Sequence, residues 1–205
     1  MRKFLFDAFD LARFRARSLD HYVYDWRLPV LWVTFLGVLP ALGPSELKQG
    51  ILGRVLFCVT LNWAQALLIT LFFTWWLKLN KRWDGKGSLF PIVALADSAG
   101  VIAPLFDFLP DAVAFPAVAL FAFYQTAVLV NALSRTTGVK LGHTLLGLLA
   151  FLPTALMLAI VAFQISINMG WITPPPVSDN PADLSGVPQL AKPAPDTAKT
   201  DGGVH

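Results

Sequence analysis

Five apolar runs, at residues 28 to 43, 51 to 77, 89 to 109, 112 to 133 and 144 to 169, follow one another with only short polar connections between them. A helix needs roughly 20 apolar residues to cross a hydrocarbon core of about 30 Å, and most of these runs reach that length. With 56% of the chain hydrophobic, the pattern reads as a polytopic membrane protein and excludes a soluble domain. The expected fold is all-α. A bundle of five transmembrane helices over 28 to 170 follows an amphipathic interfacial helix over 1 to 27, and a disordered proline-rich tail over 171 to 205 ends the chain.

The runs differ in length. The first covers about 24 Å as a helix and must thin the bilayer or lean on Trp26 and Arg27 at its rim. The second is long enough to tilt, carries Arg54 near its start, and ends in Trp75 and Trp76 where an aromatic belt places such rings. The fifth holds Pro153, and Trp171 follows it at the expected interface.

Within 1 to 27, Leu5, Phe9, Ala12, Ala16, Leu19, Val23 and Trp26 recur at helical spacing, beside a second stripe of Lys3, Asp7, Asp10, Arg13, Arg17 and Asp20. Charges recur throughout this segment, so it is not read as a signal peptide. Its basic residues suit an anionic membrane surface; the alternative is a helix packed on the bundle with its outer face solvated. Of the 16 Lys and Arg, all but Lys48, Arg54, Lys192 and Lys199 fall before the first run or on the connections after the second and fourth. That bias predicts a cytoplasmic N-terminus and, with five spans, a C-terminus outside. Because the basic residues flank spans, nucleic acid is not an expected partner.

The third run is the one that carries a charge. Asp97 lies roughly 12 Å into it, near the midplane, between Pro91 and Pro104 and among the small residues Ala96, Gly100 and Ala103. Counting rise along the neighbouring runs puts Asn62, Gln65 and Gln125 at the same depth. Four polar side chains sharing one level admit two uses. One is a site for an ion, proton or small polar solute. The other is a hydrogen-bonded network that holds helices together around a protonated Asp97, and it is favoured by the lack of any partner base or second acid.

Other chemistry has no candidate. Trp83-Asp84-Gly85-Lys86-Gly87-Ser88 has glycines but no P-loop spacing, and reads as a turn with Ser88 capping the next helix. His21, His143 and His205 are too far apart to ligate a metal together, and Cys58 cannot form an internal disulfide. No nucleophile elbow is present. No metal, cofactor or catalytic residue is therefore expected.

The stretch Phe123 to Pro153 has a span ending in a polar cap, a short turn at Thr137-Gly138-Val139, and Gly142-His143-Thr144 opening a final span. In this it resembles the Ypt-interacting protein family, the five-span Yip-domain membrane proteins, over about residues 50 to 165. The Asp-Leu-Tyr-Gly-Pro motif of eukaryotic members is missing. The resemblance implies a non-catalytic interaction or organising protein of a bacterial inner membrane, in contact with other membrane proteins or with copies of itself. The alternative is a small transporter or channel subunit that uses the polar level around Asp97.

Overall fold

The computed structural model describes residues 1–42, 50–80 and 82–171, and all of its regular elements among them are helical. The chain runs through α1 (Arg2–Ala12), a 3-10 turn (Leu19–Tyr22), α2 (Arg27–Leu42), α3 (Ile51–Lys78) and α4 (Phe90–Ala96). A 3-10 helix (Asp97–Phe108), α5 (Asp111–Thr137) and α6 (Leu141–Asn168) complete it. Three helices, α3, α5 from Ala112 and α6, are long and apolar enough to cross a membrane. The proline-rich arm expected after Trp171 lies outside the described residues.

Large apolar side chains cover the outer surface. Leu56, Leu71, Phe115, Phe123, Leu149 and Met157 are all exposed, a distribution that water penalises and a hydrocarbon solvent does not. The bundle is in this sense consistent with an integral membrane protein in contact with lipid.

The centre of the bundle is short. In α4 the five consecutive residues Ile92 to Ala96 are all buried, because α1, α2, α3 and α5 each pack against this helix. Pro91 in its first turn removes a donor that has no intrahelical acceptor there, and the Ser88 hydroxyl accepts the Phe90 N–H at 3.3 Å. The turn that precedes it is built as Asp-Gly chemistry dictates: the Asp84 carboxylate accepts the Lys86 N–H at 3.0 Å, and Gly85 and Gly87 take positive φ. Gly138 at φ 68° closes α5 and turns the chain into α6 at the same end of the bundle, where Trp76 of α3 meets His143. A close crossing joins α2 to α3, where a Cβ on Gly37 would come within 2.8 Å of the Val59 Cα.

Two expectations change. The N-terminal segment is not one helix over 1 to 27, because Phe14 takes a left-handed φ of 60° and α1 ends at Ala12. Its buried stripe is Phe4, Asp7, Ala8 and Leu11, set against the bundle, whereas Leu5, Phe9, Val23 and Trp26 of the expected stripe are exposed. The third run is not a uniform helix, since its α-helical hydrogen bonding stops at Ala96 and the tighter 3-10 pattern continues for 12 residues. Unlike its exposed neighbour Trp75, Trp76 is half-buried against α6. Its ring stacks on His143, its Nε1–H donates to the His143 carbonyl at 3.0 Å, and Gly147 on α6 leaves room for it.

Candidate functional site

The change of helix type happens at Asp97, and the side chains around it are fixed by neighbours on α2 and α3. Trp32 of α2 donates through Nε1 to the Ser98 hydroxyl at 2.8 Å, and that hydroxyl donates to the Ala94 carbonyl at 3.2 Å. Trp63 of α3 stacks on Phe90 and donates to Thr34 at 3.1 Å. These contacts hold the start of α4, and the start of the 3-10 helix that follows it, against the α2–α3 pair. The small residues that follow Asp97 leave space beside it.

Two recesses meet at this point. One, of about 300 Å³, lies among α3, α4, α5 and α6, and Asn62, Gln65, Asp97 and Gln125 all line it. The other, of about 360 Å³, lies among α2, α3 and the 3-10 helix, and its polar lining includes Asn62 and Asp97 again. These two residues therefore form the partition between the recesses. Gly100 sits against the same wall, since a Cβ there would lie 3.3 Å from Gln125 Nε2 and 4.0 Å from Asp97 Oδ1.

All four polar residues singled out in the sequence line one recess, but no hydrogen bond joins any two of them among the described residues. Asn62 Nδ2 donates instead to the Val33 carbonyl at 2.8 Å, which directs the amide oxygen away from that bond. Asp97 has neither a hydrogen-bond partner nor a countercharge among the described residues. Of the interhelical bonding expected as one use of this level, the Asn62 bond from α3 to α2 is present, while no bond joins the four side chains to one another among the described residues. What the arrangement offers chemically is one carboxylate and several amide groups facing a common space, a donor set for a cation or a proton.

A second carboxylate escapes the sequence reading. Asp7 on α1 is 4% exposed, yet His21 Nε2 donates to its Oδ1 at 2.9 Å and the Tyr24 hydroxyl donates to its Oδ2. Arg17 bridges Asp10 at 3.0 Å and reaches His21, while Lys3 donates to the His21 carbonyl at 2.9 Å. The Tyr124 hydroxyl of α5 donates to the Ala12 carbonyl at 2.6 Å and fixes the end of α1 to the bundle. The signal for Asp7 is its register, one helical turn from Phe4 and from Leu11 on the same face. Burial raises the Tyr24 phenol well above its ordinary value, and the hydrogen bond to Asp7 adds to the shift.

Comparison with protein-family models, with curated proteins and with solved structures finds no match to this chain.

Proposed function

We propose that the protein is a small membrane carrier or channel component that binds a monovalent cation or a proton at Asp97. The observation that carries this reading is the position of Asp97, unpartnered among the described residues and shared by two recesses. Asp97 is half-buried, and drawing a carboxylate out of water is costly unless something compensates the charge, which no partner among the described residues does. A proton or a cation does so, and the two compete for one carboxylate, so that binding of a cation releases a proton.

In this reading five helical segments cross the bilayer with the N-terminus on the cytoplasmic side of a bacterial inner membrane. α2 has 16 residues and a length of about 24 Å. The 7 residues of α4 and the 12 of the 3-10 helix together reach about 34 Å, because a 3-10 helix rises about 2.0 Å per residue. The bias of basic residues supports the orientation.

The organising role of the Yip type is the second reading, favoured by the order of five apolar helical segments and the Gly138 turn. It asks nothing of Asp97. Reconstitution into vesicles loaded with a pH-sensitive dye separates the two. With an inward gradient of sodium or methylammonium, wild type is expected to move protons and Asp97→Asn to be silent while inserting normally. Equal traces from both proteins overturn the carrier reading.

A further inference from the structure

The larger chemistry of the recess is asymmetric along the bundle. Its polar groups, Asn62, Gln65, Asp97, Gln125 and Thr126, lie at one level, whereas Ile69, Phe73, Leu148 and Phe151 line it further along. From Gln65 to Phe73 is 8 residues of α3, about 12 Å of helix. Phe73 and Phe151 stand together there, their ring centroids 6.3 Å apart. A bare inorganic ion would occupy the polar end alone and leave the apolar end empty or filled with poorly bonded water.

The rim says how an occupant arrives. Gln65, Ala122 and Leu152 line the recess and are also exposed on the outside of the bundle, each near the middle of its helix. A mouth midway along α3, α5 and α6 opens toward lipid acyl chains if those helices cross the membrane, and not toward the aqueous phase. Solutes reach such a mouth by partitioning into the bilayer, which selects for an apolar body.

Resting on the carrier reading above, we infer that the site takes an amphiphilic monovalent organic cation, an amine or quaternary ammonium with one aromatic or branched apolar group. The cationic head sits between the Asp97 carboxylate and the Asn62 amide oxygen, beside Gln125. The Asn62 amide nitrogen is committed to Val33, so the oxygen is the end of that group available to a positive head. The apolar body lies along Ile69 and Leu148 toward the Phe73 and Phe151 rings. At about 300 Å³ the recess accepts a ligand of the benzyltrimethylammonium class and no drug-sized polycycle.

The test uses the full-length protein in mild detergent and calorimetric titration with three probes: benzyltrimethylammonium, its uncharged carbon isostere neopentylbenzene, and sodium. Benzyltrimethylammonium is expected to bind, with affinity lowered at least tenfold by Asp97→Asn and kept within about tenfold by Asp97→Glu. The isostere is expected to bind at least tenfold more weakly. Equal binding of the isostere, or equal binding by the Asn variant, would show an apolar crevice indifferent to charge and overturn the inference. Sodium binding that depends on Asp97, without binding of benzyltrimethylammonium, also overturns it but leaves the carrier reading standing. No Asp97-dependent binding of either cation, together with silent vesicles, removes both.

Discussion

Among the described residues Asp7 is buried and Asp97 half-buried, and the two carboxylates are treated in opposite ways. Asp7 is enclosed by α1 and the segment that follows it, and each carboxylate oxygen accepts a hydrogen bond, one from His21 and one from Tyr24. Asp97, at the end of the helix against which α1 packs, faces open space on two sides and has no partner among the described residues. The cost of burying Asp7 is offset by donors within the protein, so its role is to hold the N-terminal segment. The partial burial of Asp97 is offset by no partner among the described residues, which points to a ligand. The difference teaches that burial alone does not distinguish a structural carboxylate from a working one; the inventory of its donors does.

The largest expected effect is at the satisfied site. Asp7→Ala strands the Tyr24 hydroxyl and the His21 ring, and should destabilise the protein by about 3 kcal/mol, as breaking a buried bonded charge does. The thermal melt in detergent should fall, and trypsin should cut at Arg13, Arg15 and Arg17 much faster than in wild type. A melt unchanged by this variant would break the comparison at its first term. Tyr24→Phe removes one donor and leaves His21 in place, so about 1 to 2 kcal/mol is expected, with the same proteolytic signature in weaker form.

Alkaline pH sharpens the same point. The phenol of Tyr24 is raised by burial and by its bond to Asp7, so the folded state favours the neutral form that donates. This stabilisation is complete below about pH 10, the value for an unfolded tyrosine, and is lost progressively as pH rises above it toward the folded value. The trypsin sensitivity of the N-terminal segment should accordingly rise above about pH 10 in wild type. The rise should be smaller in Tyr24→Phe, and an identical profile in the two proteins would remove the hydrogen bond as its cause.

The smallest expected change in stability is at the open site. Asp97→Asn breaks no bond among the described residues, and its melt should stay within about 0.5 kcal/mol of wild type. A loss approaching that of Asp7→Ala would place Asp97 among the packing groups.

Much of this arrangement is legible in the sequence, for reasons particular to each part. The apolar runs declare the long helices because a hydrocarbon solvent asks for uniform hydrophobicity over a fixed length. The shared level of Asn62, Gln65, Asp97 and Gln125 is legible because depth counting assumes about 1.5 Å per residue, and α3, α5 and α4 up to Ala96 obey it. Past Asp97 the same count fails, since the 3-10 helix rises faster and nothing in the residue pattern announces it. The N-terminal segment misleads for a related reason. Apolar residues at helical spacing can be traced from Leu5 to Trp26 whether or not the chain is helical, and the reversal at Phe14 leaves no mark in the periodicity. Asp7 is hidden because its partners lie 14 and 17 residues away and are brought to it only by that reversal.

The central claim is that the Asp7 carboxyl is closed and the Asp97 carboxyl open to the membrane. Dicyclohexylcarbodiimide dissolves in lipid and forms a stable acylurea with carboxyl groups it can reach, so it reads this difference directly. Treatment of the reconstituted protein followed by peptide mass mapping should find the adduct at Asp97 and not at Asp7, with labelling of Asp97 slowed by benzyltrimethylammonium. An unmodified Asp97, or equal modification of both aspartates, would contradict the account.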